Sequence, residues 1–340
     1  ALRKEWGDPK KYRGQNFKQF VVEAACAGDR QTLFLMINCR EETMPAKLLG
    51  VFDKDFKYRS RKILICGLNQ LGLCEEVGNQ EPKEVHLESE DIPTQIACGG
   101  GTCFIITHFG DVYSFGQGNF GVLGHCDRDI PMQVPRQISS LNGIKVTSVA
   151  AGAYHAICLA HAGRAYSWGK NSDGQLGLGF TSECELSPRQ IPFFQGNNKC
   201  VQISCGMNHC LALVDKPRAS GESGLSVFAW GNGDRGQLGS GDLRTNHTPQ
   251  ENRWVSRYCK KFGYAILDVC AGGFHNLART DTGNYVISWG GGDYGQLGRD
   301  FAWDDSRPAA ILDLSHVIQI SAGRRHSMCI CLHNGVKKIY

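Results

Sequence analysis

The sequence predicts an all-β chain folded as a β-propeller of four-stranded blades, and three observations carry that prediction. A motif of the form WGxxxxGQLG recurs along the chain, and a second motif of the form CGxxHxxxL follows it out of phase. Inside these repeats no segment keeps helical periodicity over ten residues. Repeats of about 50 residues with four short strands each bury their faces only by stacking on one another, which is how a propeller is built.

The first motif reads VYSFGQGNFGVLG from Val112, AYSWGKNSDGQLG from Ala165, FAWGNGDRGQLG from Phe228 and VISWGGGDYGQLG from Val286, with a weaker ILICGLNQLG from Ile63. Its leading glycines are Gly67, Gly116, Gly169, Gly231 and Gly290, so the repeat length runs from 49 to 62 residues. The second motif reads VAAGAYHAICL from Val149, ISCGMNHCLAL from Ile203, VCAGGFHNLAR from Val269 and ISAGRRHSMCI from Ile320. Degenerate copies begin at Ile96 and Ala24, with Thr102 and Gln31 in place of the histidine.

Each element then has its place. The alternating aromatic run (Tyr166, Trp168) is one strand, and the glycine loop follows it. A second strand surrounds a proline segment such as Pro188-Arg-Gln-Ile191, a third is the V-T-S-V-A type run, and a fourth follows the G-x-x-H element. Turns at HAG, DTG or HNG lead into the next repeat. Residues 1–62 are read as an N-terminal half-blade (about 17–43) plus a connector, and 63–340 as the repeats. The last segment, Val336-Lys-Lys-Ile-Tyr340, looks like the opening strand of a further repeat. Its pairing with the N-terminal half-blade would give a sixth blade and close one propeller domain.

Composition agrees with a globular chain. Glycine makes up 42 of 340 residues and collects in the motif loops and turns, not at every third position, which excludes collagen. Thirty-seven Lys+Arg against 33 Asp+Glu leave a net charge of +4, too balanced to argue for nucleic acid. No apolar run approaches the ~18–20 residues of a membrane span, and the N-terminus shows no apolar signal segment. The sixteen cysteines form no CxxC pair and no zinc-like set, and many sit in apolar strands, so a reducing cytoplasmic or nuclear setting is expected.

These paired signatures resemble those of the RCC1 (regulator of chromosome condensation) family, over residues 63–340 and the half-repeat at 17–43. The resemblance implies an RCC1-like propeller, usually of seven blades where six are visible here, closed by strands from both chain ends. It also implies two kinds of use: guanine-nucleotide exchange on a Ran-type small GTPase, or a recruiting module inside a larger ubiquitin ligase or kinase. Family exchange factors carry acidic and polar residues on the loop face beside the G-x-x-H element. Here the residue before His is Tyr154, Asn208, Phe274 or Arg325, none of them acidic. The photoreceptor branch looks like GWRHT repeats, and the nearest match, Gly323-Arg-Arg-His-Ser327, lacks the tryptophan.

Three GxGxxG stretches (from Gly116, Gly231 and Gly290) imitate a dinucleotide fingerprint, but each runs on into strand, so no nucleotide cofactor is expected. His155, His209, His275 and His326 recur once per repeat and so lie in different blades. They are read as buried imidazoles bonded to backbone groups, not as converging metal ligands, and no metal is expected. Trp303-Asp304-Asp305 reads as solvated loop acids, and no arrangement argues for covalent catalysis.

The segments that break the repeat hold the remaining candidates. Asp215–Gly224 reads as a polar linker, and Met44–Lys62 as either a basic strip or a solvated connector. In 253–263, Trp254, Tyr258 and Phe262 share one helical face, flanked by Arg253, Arg257, Lys260 and Lys261. That segment either packs on the propeller or contacts an acidic partner. The expected function is a protein-interaction platform, monomeric or part of a longer chain, that binds or regulates a small GTPase through its loop faces. Partner-binding candidates are Arg253, Trp254, Arg257, Tyr258 and Lys261, together with Tyr154, Asn208, Phe274 and Arg325.

Overall fold

Runs of β-branched and aromatic residues, broken by glycine turns, pair here into antiparallel sheets. The computed structural model describes residues 20–28, 31–38, 61–67, 82–87, 89, 91–217, 223–281, 285–312 and 314–340. Blade 1 holds β1 (Phe20–Ala27), β2 (Gln31–Asn38), β3 (Arg61–Gly67) and β4 (Lys83–Val85). Blade 2 holds β5 (Pro93–Gly99), β6 (Thr102–Thr107), β7 (Val112–Gly116) and β8 (Met132–Gln137). Blade 3 follows with β9 (Val146–Ala151), β10 (His155–Ala160), β11 (Ala165–Lys170) and β12 (Cys184–Gln190). In blade 4 are β13 (Lys199–Cys205), β14 (His209–Pro217), β15 (Ser223–Gly231) and β16 (Asn246–Glu251). Blade 5 comprises β17 (Ile266–Ala271), β18 (His275–Thr280), β19 (Val286–Gly290) and β20 (Asp305–Ala310). A three-stranded blade 6 ends the chain: β21 (Val317–Ala322), β22 (Ser327–His333) and β23 (Val336–Ile339).

The fold class is the expected all-β propeller of six blades, with a different arrangement at the ends. The half-repeat at the N-terminus does not wait for the last strand. It supplies β1 and β2, and the next two strands in the chain, β3 and β4, complete that sheet. The last strand stays in its own blade because Asn334 and Gly335 both take positive φ, 49° and 79°, and fold β23 straight back onto β22.

Burial follows position in the blade. The middle strands β6, β7, β10 and β19 are buried at every residue, because neighbouring blades cover both of their faces. The last strand of each complete blade from 2 to 5 carries a proline: Pro135, Pro188, Pro249 or Pro308. An outer edge strand tolerates the missing N–H. Apolar clusters fill five seams between consecutive blades, anchored by Trp168, Trp230 and Trp289 where the motif supplies tryptophan.

The motif residues tie each glycine loop in place. Ser114, Ser167 and Ser288 donate to the carbonyls of Leu123, Leu176 and Leu297 in their own loops, all at 2.7 Å. The indole N–H of Trp168, Trp230 and Trp289 reaches into the previous blade's loop, to Val122, Gln175 and Gln237 O at 2.7, 2.9 and 3.0 Å. Gly177 leaves room for that contact, since a Cβ there would lie 2.8 Å from the Trp230 indole nitrogen. The GxGxxG stretches therefore run into loop and strand, with no helix behind them.

Among the described residues one α-helix interrupts the pattern. The segment read as helical forms α1 (Arg253–Phe262), capped by the Asn252 side chain on Val255 N and ended by Gly263 at φ 72°. The polar insertion lengthens the β14–β15 hairpin as far as Pro217 and Ser223, while residues 218–222 lie outside the described residues. Most of the 44–62 segment also lies outside them. Its described cations are paired, Arg61 with Glu23 and Lys62 with Glu84. Among the described residues no helix is long and apolar enough to cross a membrane.

Candidate functional site

The strand order defines two faces. From β9 the chain turns through Gly152–Tyr154 into β10, and β11 leaves in the same direction into the loop at 171–183. The G-x-x-H turns and the glycine loops thus share one face, hereafter the turn face. Connectors from one blade to the next return on the opposite face, and α1 is one of them. The two groups of candidate residues are therefore on opposite sides of the disc.

Below the turn face the histidines lock neighbouring blades. His155, His209 and His275 are fully buried, but their bonds do not go to backbone as the sequence suggested. Each ring Nε2 meets the residue that follows the next blade's histidine: Cys210 Sγ at 3.1 Å, Asn276 Oδ1 at 2.7 Å and Ser327 Oγ at 2.9 Å. Those three groups in turn donate to the carbonyls of Gln175, Gln237 and Gln296 in the glycine loops. Being committed as donors, they accept from the imidazoles, which assigns the proton to Nε2 and leaves Nδ1 unpartnered in all three rings. Burial lowers His209 and His275 to about 4, so both are neutral at pH 7.

His326 differs: it is exposed, because no further blade covers it among the described residues. Gln31 takes the histidine position in blade 1 and donates to Gly100 O at 3.0 Å, across the same kind of seam. Thr102 takes it in blade 2 and stays within its own blade, donating to Gln117 O.

Above this layer, two variable positions per repeat meet. One is the residue before His; the other is the loop residue two places before the QL or VL pair. Phe120 stacks edge-on against Tyr154 with ring centroids 5.3 Å apart. The Arg235 guanidinium lies 5.6 Å from the Phe274 centroid, and that of Arg325 lies 4.3 Å from Tyr294. Phe120 holds φ 58°, which costs an L side chain roughly 1–2 kcal/mol, while its ring packs on Tyr154. Asn208 is half-buried, and the loop beside it carries Asp173, which accepts from Asn232 at 3.4 Å.

Acidic groups do reach this face, from the loops. Asp234 and Asp293 are exposed there, and Arg235 pairs with Asp293 and with Asp304. Asp304 also accepts from Gly292 N, and Asp305 pairs with Arg299, so these acids brace loops and are not merely solvated. The sequence signal for this face was available: the two variable positions of each repeat lie in register across neighbouring repeats. Reading only the residue before His missed Phe120, Asp173, Arg235 and Tyr294.

On the opposite face α1 divides its residues. Trp254 donates to Ser240 O at 3.1 Å, with Arg257 and Arg307 over its ring at 5.9 and 5.4 Å. Val255 is buried, and Tyr258 packs against the same apolar cluster and against Phe262. Arg253, Arg257 and Lys261 remain exposed, and Arg253 lines an open groove of about 900 Å³ with Phe193, Lys216 and Glu251.

Residues 62–337 match the family of RCC1-like domains. The chain belongs to that family. This RCC1-like propeller is 35% identical to the E3 ubiquitin-protein ligase HERC2 of Homo sapiens over 241 residues, 70% of this chain and 5% of the ligase. It is 33% identical to the probable E3 ubiquitin-protein ligase HERC4 of Rattus norvegicus over 207 residues, 60% of this chain and 18% of that protein. The chain therefore spans a small part of the length of these relatives. Among solved structures, Prp20p from Saccharomyces cerevisiae superposes with a TM-score of 0.69 at 20% identity, covering 91% of this chain and 68% of that one. Human WBSCR16 gives the same TM-score and identity, covering 90% of this chain and 85% of its own.

Proposed function

We propose that this RCC1-like propeller is a protein-interaction platform whose turn face captures a small GTPase. One observation carries the reading. The variable loop and turn positions form an aromatic pair and two aromatic–arginine pairs, the composition of binding hot spots, and both arginine pairs sit on seams locked by histidine hydrogen bonds. A surface so braced loses little freedom on binding. The loop aspartates add the acidic character that the residues before His lack. Binding of the nucleotide-free GTPase in preference to the loaded form would speed nucleotide release by shifting a population, with no bond made or broken. Prp20p, which shares the fold, was described together with its binding to Gsp1p and histones, and that supports a protein ligand.

The similarity to HERC ligases favours a second reading, in which the same face recruits a partner to a larger ubiquitin ligase. A Tyr294→Ala, Arg325→Ala double variant separates binding from folding, because Tyr294 is 57% exposed and Arg325 is exposed. With a labelled-GDP-loaded Ran-type GTPase, the wild-type chain should accelerate release and the variant should lose at least about tenfold of that effect, at unchanged Tm. If the wild-type chain neither accelerates release nor retains the nucleotide-free GTPase, the GTPase reading is wrong. Partners held by the wild type but not by the variant would then favour recruitment.

A further inference from the structure

We propose that the seam between blades 3 and 4 is a zinc site, with His155 Nε2, Cys205 Sγ and Cys210 Sγ as ligands. These three atoms come from two blades and lie within 4.8 Å of one another. His155 Nε2 is 3.1 Å from Cys210 Sγ, and the two sulfurs are 3.9 Å apart. Zinc bonds of about 2.3 Å to sulfur and 2.0–2.1 Å to nitrogen set tetrahedral edges of about 3.8 Å (S to S) and about 3.6 Å (S to N). Small side-chain rotations bring the three donors to those edges.

The neighbouring seams show what the clamp itself requires. Cys205 and Cys210 are directly paired across β13 and β14. The same pair in blade 5 is Ala271 and Asn276, and in blade 6 it is Ala322 and Ser327. A small residue and an oxygen acceptor therefore suffice to hold a seam, and two thiols exceed that need. Blade 2 also has a thiol pair, Cys98 and Cys103 at 3.6 Å, with Cys26 at 3.0 Å from Cys98. Its facing residue is Gln31, not histidine, and that amide is committed to Gly100 O. Among the described residues only the seam between blades 3 and 4 joins two thiols to an imidazole.

Charge selects the ion. Two thiolates, a neutral imidazole and a divalent cation sum to zero, which a buried seam tolerates; a monovalent soft cation would leave a net negative charge there. Binding releases the two thiol protons to solvent. The departing protons free two carbonyls that accept from the thiols, Ala150 O at 3.5 Å and Gln175 O at 3.3 Å. Gln175 O keeps its Trp230 donor and Ala150 stays paired with Ile157 in the β9–β10 ladder, so the seam supplies three ligands. Coordination through Nε2 moves the ring proton to Nδ1, which has no partner there. A missing outer partner typically costs 10–100-fold in affinity, so this site should bind more weakly than a closed four-ligand site.

The test uses the full chain, reduced and stripped with chelator, then titrated with Co²⁺ and Zn²⁺. Expected are a thiolate-to-cobalt charge-transfer band at one ion per chain, its displacement by Zn²⁺, and a rise of Tm with Zn²⁺. Cys205→Ala and Cys210→Asn copy the residues of blade 5, so the seam should hold while cobalt affinity falls at least tenfold and the zinc-dependent Tm rise disappears. Cys98→Ala should behave as wild type. Absence of the band from the wild-type chain overturns the proposal, and so does a band that survives in Cys205→Ala.

Discussion

His209 donates its Nε2–H to Asn276 Oδ1 at 2.7 Å while the Asn276 amide N–H is held by Gln237 O, so the ring is fixed in its neutral form. Burial lowers this imidazole to about 4, and burial with neighbouring histidine charge does the same for His275. A histidine whose folded pKa lies below its unfolded value binds its proton more readily after unfolding. Its contribution is thus complete above about pH 6.5 and is lost as the pH falls toward 4, by at most about 3 kcal/mol per ring. Urea unfolding followed from pH 7 to pH 4 should show that decline. His209→Gln, which imitates Gln31 in blade 1, should remove its share of the slope; an unchanged slope would mean that other groups titrate. The G-x-x-H pattern marks these rings in the sequence, but not their partners. Those follow the next histidine, 55, 67 and 52 residues on, and a bond between repeats leaves no signature inside one repeat.

At the level of elements, strand positions are legible because each repeat restates them. The proline in the last strand and the Ser-Trp-Gly run in the third both have a mechanical reason. Helix α1 is legible too, from Trp254, Tyr258 and Phe262 at helical spacing. What the spacing does not carry is the direction that helix faces, since that depends on the sheet order of the whole disc. The structure divides α1 between packing and display. Tyr258→Ala removes a ring set against the blade 4–5 cluster and against Phe262, and should lower stability by about 2–4 kcal/mol. An Arg257→Ala, Lys261→Ala double variant removes exposed cations and should leave Tm within about a degree, since such surface changes are usually within ±0.5 kcal/mol. Thermal unfolding of both variants distinguishes the roles; equal losses would mean that the cations also hold the helix down.

Across the whole molecule, the seams are unequal. Blades 3, 4, 5 and 6 are joined by three histidine clamps and by backbone bonds between turns, from Ala153 N to Met207 O, Met207 N to Gly273 O and Gly273 N to Gly323 O. Among the described residues no buried cluster joins blade 6 to blade 1, His326 is exposed, and Met328 and Leu332 are 48% and 40% exposed. The sequence led to the opposite expectation for this point, because a terminal strand resembling the start of a repeat invites pairing with the half-repeat at the other end. Local turn chemistry at Asn334-Gly335 decides otherwise. In a chain of stacked repeats each blade draws stability mainly from its neighbours, so a blade clamped on one side should open more readily than one clamped on both. Native-state hydrogen exchange should therefore find amides of β14 and β18 opening only with global unfolding, and those of β22 protected at least about tenfold less. Equal protection in β14, β18 and β22 would show that blade 6 is braced as firmly as the interior blades, and that unfolding does not begin at the C-terminal edge.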